Sequence, residues 1–220
     1  MVKLNLSGTL PAATYVVSLA DAKSFLRITH TAENSLITNL ITAAVEMAQN
    51  YCNSKFLEHE YTLTMETWDD VYVSNHFTQD LSDGSYIRRG GYVGKDGLNQ
   101  IVLPYPPLKS ITSIKYYDAA GSQQTWSTDN YRDLTYHNQK GYIEIKDGST
   151  MPTLEDRADA VEIKFKCGYG TSSDGTDIPE AIKTAVLLIL GRMYELREDS
   201  VSKLPKASEY LLDPYRFKTY

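Results

Sequence analysis

The sequence predicts an α+β protein in which helices from both ends of the chain pack together and a β-rich segment is inserted between them. Two observations carry this prediction. Apolar residues recur at helical spacing in segments 19–53 and 180–197. Between them lie short alternating runs such as 160–167, separated by turn residues, and this pattern favours a small antiparallel sandwich or barrel.

The N-terminal third predicts a helical hairpin after an extended stretch over residues 1–17. Ser18 and Asp21 have a spacing similar to a capping box, so the first helix begins at Ser18. A second helix is expected from Ala32 to Asn53. Its apolar stripe is wide, so more than one of its sides should be buried.

The middle of the chain predicts six strands and one hairpin turn. The turn lies at Asp118–Ser122, where Gly121 interrupts the apolar pattern. The strands are expected at His59–Trp68, Gln100–Leu103, Ile111–Tyr117, Tyr131–Thr135, Gly141–Lys146 and Ala160–Cys167.

Residues 69–99 differ from the rest of the middle because they are polar and rich in glycine. Five of the 13 glycines lie between Gly84 and Gly97. Loops of this length inside a compact domain are usually functional or mobile. We therefore expect a protruding hairpin or flexible arm here, with aromatic contact residues at Tyr72, Phe77, Tyr86 and Tyr92.

The last third predicts a helix followed by an extended tail. Asp177 is expected to cap the helix and Pro179 to lie in its first turn. The tail, residues 201–220, has a net charge of +2 and contains a predicted short helix at Ala207–Leu212. It either folds back on its own domain or docks on a partner. Docking is preferred because aromatic and arginine side chains are the usual interface anchors. The candidate partner-binding residues are Leu211, Leu212, Pro214, Tyr215, Arg216, Phe217, Lys218 and Tyr220.

These elements give four predicted segments. Residues 1–57 hold the extended N-terminus and the hairpin, and 58–170 form the β-rich domain with its arm. Residues 171–200 form the C-terminal helix, which packs on the hairpin, and 201–220 form the interaction tail.

Composition excludes several classes of function. The 220 residues carry a formal charge of −6, whereas general DNA-binding and membrane-surface proteins are basic. The longest apolar run, Ala185–Leu190, is much shorter than the roughly 20 residues that a membrane span needs. The two cysteines predict buried thiols and an intracellular chain. The 17 tyrosines suit either strands or protein interfaces.

No motif in the sequence predicts catalysis, a cofactor site or a metal site. Gly168-Tyr169-Gly170 begins like a dinucleotide-binding loop, but Ser173 stands where the third glycine would be. The four histidines are dispersed and form no metal-binding pair. The sequence therefore predicts a protein that is not an enzyme.

Four stretches, taken in order, resemble the head–tail connector (adaptor, or head-completion) proteins of long-tailed bacteriophages and gene transfer agents. They are Val17–Ile28 with the following helix, Leu103–Tyr116, Phe165–Gly170 with Ile178–Glu198, and Leu211–Arg216. Their order and spacing cover most of the chain. The arm at 69–99 is longer than in the family, so the resemblance implies nothing about it.

The resemblance implies a virion structural protein located in the neck, between capsid and tail, and made in the host cytoplasm. Such proteins form a homo-oligomeric ring, usually twelvefold, under the portal protein. The ring extends the channel for double-stranded DNA and docks stopper or tail-completion proteins. In the family the C-terminal segment commonly engages the portal. No cofactor and no membrane are implied.

Two other interpretations remain open at this stage. The chain could be a stopper or tail-completion protein of the same neck region. It could also be an enzyme or a carbohydrate-binding module with a site near the aromatic arm. The first would differ in whether its C-terminal residues bind the portal, and the second would need a concave pocket near the arm.

Overall fold

The chain folds into two compact units, one of strands and one of helices. The β unit comprises Met1–Gly8 and Glu60–Cys167, and the helical unit comprises Thr9–His59 and Gly168–Tyr220. The predicted α+β class is therefore confirmed. The structure is a computed structural model that describes residues 3–7, 11–68, 100–135, 141–171, 175–196 and 204–217.

The helical unit is built around one long helix. Its helices are α1 (Leu19–Leu26), α2 (Asn34–Cys52), α3 (Glu180–Glu195) and α4 (Lys206–Leu212). A 3-10 turn at Ala13–Tyr15 precedes α1. Helix α2 contacts α1, α3 and α4, which explains why its apolar stripe is wide. Its buried residues are Ile37, Ile41, Ala44, Val45, Ala48 and Cys52.

The helix starts agree with the sequence at α1 and differ at α3. The Ser18 hydroxyl accepts a hydrogen bond from the backbone N–H of Asp21 at 3.1 Å, as the capping pattern predicted. At α3 the predicted cap by Asp177 is wrong. Pro179 is the residue before the first turn, with an extended ψ of 135° and no side-chain cap. Asp177 lies two residues too early to reach the first free N–H groups.

The β unit contains two antiparallel sheets that contribute to one hydrophobic core. The strands are β1 (Lys3–Leu6), β2 (His59–Met65), β3 (Gln100–Val102), β4 (Leu108–Tyr117), β5 (Gln123–Thr125), β6 (Tyr131–Thr135), β7 (Gly141–Ile145) and β8 (Val161–Cys167). One sheet has the order β1-β2-β8-β4-β5 and the other β3-β7-β6. Residues of both sheets are buried in the same cluster, among them Leu63, Phe165 and Ile143.

Strand β1 differs from the prediction, in which residues 1–17 form one extended stretch grouped with the helical hairpin. Lys3–Leu6 instead pairs antiparallel with β2, from Lys3 opposite Thr64 to Leu6 opposite Tyr61. The first residues therefore belong to the β unit. Strand β5 was likewise missed, since its three residues, Gln123–Thr125, are all exposed and carry no apolar pattern.

Strand β4 contains two bulges that change its hydrophobic period. Leu108, Ile111 and Ile114 recur every third residue, yet all three are paired opposite inward-facing residues of β8. The register shifts between Leu108 and Ser110 and again between Ile111 and Ser113. Each bulge sets two residues of β4 opposite one of β8, so a spacing of three still keeps one face in the core.

His59, the first residue of β2, gives a prediction about pH. Its imidazole is buried, and its Nδ1 lies 2.8 Å from the carbonyl oxygen of Leu57. Burial lowers its pKa in the folded chain, whereas the unfolded chain binds a proton at about 6.5. The free energy of unfolding should therefore fall as the pH drops below about 6.5, by at most about 1.4 kcal/mol per pH unit.

The measurement is urea unfolding between pH 7 and pH 5, comparing the natural chain with His59→Asn. The asparagine keeps a donor for the Leu57 carbonyl but cannot titrate. The variant should lose stability less steeply over this range. Parallel pH profiles for the two chains would show that His59 is not the titrating group.

Candidate partner-binding segment at the C-terminus

The C-terminal segment, residues 204–217, is folded against the helical unit. Helix α4 packs against α3, and a 3-10 turn at Asp213–Tyr215 follows it. The buried Ser208 hydroxyl donates to the carbonyl oxygen of Ala185 at 3.3 Å. The predicted short helix is confirmed, but the predicted extended tail is wrong over these residues. Apolar side chains at helical spacing bury themselves on α3 more favourably than they remain in water.

The end of this segment is held at the C-terminus of α2. The backbone N–H of Phe217 donates to the carbonyl oxygen of Cys52 at 2.9 Å. The Cys52 thiol lies 3.9 Å from the carbonyl oxygen of Leu212, a weak hydrogen bond. Leu212 and Cys52 are fully buried and belong to one core. Burial raises the pKa of Cys52 to about 12, so the thiol is neutral and unreactive while the segment stays in place.

Tyr51 makes two polar contacts with the same segment. Its hydroxyl donates to a carboxylate oxygen of Asp213 at 2.7 Å. Its ring faces the Arg216 guanidinium carbon, 4.7 Å from the ring centroid, a cation–π contact. Burial, followed by the bond to Asp213, raises the pKa of Tyr51 to about 12. On the other side, the rings of Tyr215 and Tyr169 meet edge to face at 6.3 Å.

The structure divides the predicted partner-binding residues into buried and accessible groups. Leu212 and Phe217 are buried in their own unit, and Leu211 and Tyr215 are half-buried. Among the members that the structure describes, Pro214 and Arg216 are exposed and therefore accessible. Lys218 and Tyr220 lie outside the described residues. So do all four predicted contact residues of the arm, namely Tyr72, Phe77, Tyr86 and Tyr92.

Sequence reasoning missed two features of this segment. Tyr210 lies on α4 next to the predicted partner-binding residues, and its side chain is 76% exposed. The helical pattern of residues 207–212 does not indicate that this tyrosine faces solvent. Tyr51 and Cys52 lie in the predicted second helix, and Tyr169 lies in the stretch Gly168-Tyr169-Gly170, which begins like a dinucleotide-binding loop. Nothing in their local sequence indicates the long-range contacts with residues 212–217.

The described part of the chain shows no metal or membrane feature. Within residues 3–7, 11–68, 100–135, 141–171, 175–196 and 204–217, no three histidine, cysteine, aspartate or glutamate side chains gather as a metal site. None of the helices described there has the length and apolar character needed to cross a bilayer.

Comparison with known proteins gives matches of two kinds. Residues 16–83 match the family model described as "Phage gp6-like head-tail connector protein". The resemblance to head–tail connectors is confirmed. No curated protein matches the sequence.

Solved structures resemble the fold over nearly the whole chain. A chain from the "Neck of empty GTA particle computed with C6 symmetry" has a TM-score of 0.70 and 20% identity, and the match covers 99% of this chain and 97% of that one. A chain from the "Virion of native gene transfer agent (GTA) particle" has a TM-score of 0.71 and 20% identity, with 99% and 96% covered. A chain from the "Neck of native GTA particle computed with C12 symmetry" has a TM-score of 0.69 and 19% identity, with 99% and 97% covered. At these identities the similarity concerns the fold.

Proposed function

We propose that this chain is a head–tail connector, a structural protein of the neck of a phage or gene transfer agent particle. The observation that carries the proposal is the similarity over 99% of the chain to a neck chain, together with the connector family model at residues 16–83. Synthesis takes place in the host cytoplasm, and the protein acts in the virion without catalysis. The described residues of its β unit pack a hydrophobic core, as expected of a structural protein.

The proposed assembly is a homo-oligomeric ring, twelvefold, under the portal protein. Ring closure needs two different complementary patches on each subunit. One end of the ring meets the portal, and the other docks stopper or tail-completion proteins. Double-stranded DNA passes through the channel without sequence recognition, since a chain of net charge −6 does not bind phosphate tightly as a whole.

The portal contact is assigned to the accessible side of the C-terminal segment. Pro214, Arg216 and Tyr210 are exposed there, and Lys218 and Tyr220 follow in the sequence. Leu212 and Phe217 support this surface from beneath, because they anchor the segment in the core. Arginine and tyrosine are typical interface anchors, since both combine a flat contact area with hydrogen-bond donors.

The test is co-sedimentation of the purified chain with portal-containing, DNA-filled heads, followed by negative-stain imaging. A ring at the portal vertex is the expected result. Binding to isolated tails, with none to heads, would contradict the proposal and indicate a tail-completion protein. Binding to neither particle would also contradict it.

Arg216→Ala tests the assigned contact within the same assay. Attachment to heads should weaken on the order of tenfold or more, the loss expected when an arginine anchor is truncated. The matched control is Arg192→Ala, which removes an exposed arginine from α3. Equal attachment of the two variants would contradict the assignment, and a thermal melt of each verifies that both remain folded.

A further inference from the structure

The five-stranded sheet of the β unit has an open edge on each side. Its order, β1-β2-β8-β4-β5, places β1 and β5 at the two ends, and within the described residues each of them pairs with one strand alone. All three residues of β5 and three of the four residues of β1 are exposed. An edge strand presents backbone N–H and C=O groups with which a strand of another chain can pair.

The open edge of β5 presents the backbone groups of Gln123 and Thr125. The N–H of Trp126 and the carbonyl oxygen of Ser122 form hydrogen bonds with β4. In an antiparallel pair, residues bonded in this way alternate with residues whose N–H and C=O groups point to the opposite side. Gln123 and Thr125 are these alternate residues, so their backbone groups point away from the sheet.

The open edge of β1 presents the backbone groups of Leu4 and Leu6. The Ser7 N–H donates to the carbonyl oxygen of Glu60 at 2.8 Å, so Ser7 and Asn5 face β2 and the alternate residues face away. The Leu6 side chain is 38% exposed. An exposed apolar side chain on an open edge favours the addition of another strand.

Strands β1 and β5 run in the same direction. Strand β1 is antiparallel to β2, and β4 is antiparallel to both β8 and β5. Strands β2 and β8 are antiparallel as well, because the ring of Tyr61 stacks on Phe165, whereas the earlier Leu57 lies against the later Gly168. Direction therefore alternates across all five strands. Copies that continue this sheet from one to the next bring β1 and β5 together in parallel.

One parallel register matches the backbone groups of the two edges. When Leu4 stands opposite Gln124 of the next copy, its N–H meets the carbonyl oxygen of Gln123, and its own carbonyl oxygen meets the N–H of Thr125. A residue in a parallel pair bonds in this way to the two neighbours of the residue opposite. The outward groups of both edges are therefore used together.

The same register also matches the side chains. Leu4 and Gln124 both lie on the inner side of the sheet, since each pairs within its own copy with a residue that packs in the core. Leu6 comes beside Trp126 of the next copy, a core residue, so its exposed side chain is covered. An antiparallel pairing of these edges would set inner residues opposite outer ones, because its bonded residues stand directly opposite each other.

The charges at one end of the two edges are complementary. Lys3 is exposed at the start of β1 and falls opposite Gln123 in this register. Gln123 follows the turn that begins at Asp118, and the Glu155 carboxylate lies beside that turn at Gly121. A lysine of one copy therefore approaches two carboxylates of the next, which favours a second copy of this chain as the occupant of the edge.

We propose that β1 of one copy adds in parallel to β5 of the next copy, so that the five-stranded sheets join into one continuous band around the ring. The inference rests on the proposed function, which requires a homo-oligomeric ring. A ring contact needs two different surfaces on one chain, and the opposite edges of a single sheet are such a pair. Strand addition supplies affinity through main-chain hydrogen bonds.

The experiment links the two edges by a disulfide in the assembled particle. Asn5 and Thr125 are exposed and lie opposite each other in the proposed register, so the chain with Asn5→Cys and Thr125→Cys should form disulfides between copies under mild oxidation. Within one copy the two positions are separated by the width of the sheet, roughly 19 Å, which is too far for an internal bond. After attachment to DNA-filled heads, a non-reducing gel should show a ladder of linked copies up to the complete ring.

The matched control is the chain with Lys3→Cys and Thr125→Cys. Its two new cysteines are two residues out of register, with Cα atoms about 8 Å apart, beyond the reach of a disulfide. It should attach to heads equally and give no ladder. Both chains keep Cys52 and Cys167, which are buried.

Four outcomes would overturn the inference. Rings on heads without a ladder would overturn it and leave the connector function intact. Equal ladders in the two chains would show that the copies do not pair in this register. A cross-link to another particle protein would show that the edge has a different occupant. A natural chain that does not attach to heads would contradict the connector function, and the inference would fall with it.

Discussion

Replacing Gly168 by alanine should destabilise the helical unit by about 3–5 kcal/mol, the range of the most damaging single substitutions. Gly168 follows β8 and has a φ of +119°, a conformation that residues with a Cβ rarely adopt. An added Cβ would also lie inside the van der Waals distance of the Leu57 carbonyl oxygen. The backbone fixes the positions of both the Leu57 carbonyl oxygen and the added Cβ, so a change of rotamer cannot relieve the clash.

Gly148→Ala is the matched control, because it separates backbone strain from the steric clash. Gly148 has a φ of +81° and no atom within 4 Å of the position that a Cβ would take. Its replacement should cost only about 1–2 kcal/mol, the price of the left-handed conformation alone. Urea unfolding followed by far-UV circular dichroism measures both variants. Similar losses for the two would show that the approach to Leu57 does not matter.

Regular elements such as helix α1 and strand β8 could be predicted because their signals are local in the sequence. Ser18 and Asp21 are three residues apart and cap α1 as expected. Strand β8 alternates without interruption, and the structure places it at Val161–Cys167. In both elements one face is buried, so the period of the apolar residues reports the backbone directly.

Strand β4 shows where local signals mislead. The sequence predicts this strand only over Ile111–Tyr117, because prolines precede it, and the spacing of three between Leu108, Ile111 and Ile114 fits no regular strand. The bulges that reconcile this spacing with pairing are visible only against β8. Strand β1 also lacks a local signal, because its four residues are mostly exposed. It forms a strand by pairing with β2, which is distant in the sequence.

The candidate site could be predicted only as a segment. The aromatic and basic residues after Pro214 indicated an interaction surface, and the sequence left open whether they fold back or dock on a partner. The answer depends on Tyr51 and Cys52, more than 150 residues away in the chain. Such contacts follow from the tertiary packing of α2 with α4, and no periodicity encodes them.

Leu212→Ala should release the C-terminal segment from the helical unit. Leu212 is fully buried, and replacing such a leucine by alanine costs about 2–4 kcal/mol in lost burial and cavity formation. Leu212 is the buried leucine through which the segment joins the core, with Leu204, Leu211 and Tyr215 packed beside it, so a large part of the docking energy should disappear. Its release would uncover Cys52, whose thiol is otherwise shielded beneath Leu212.

The measurement is the rate at which Cys52 reacts with a thiol reagent, in chains that also carry Cys167→Ala so that one thiol remains. In the Leu212→Ala chain the rate should rise at least about tenfold, because exposure removes the burial that raises the pKa of Cys52. Tyr210→Ala is the control, since it truncates an exposed side chain of the same helix. An unchanged rate in the Leu212→Ala chain would mean that the segment stays docked without its leucine. In that case the polar contacts of Tyr51 with Asp213 and Arg216 would be sufficient to hold the partner-binding surface in place.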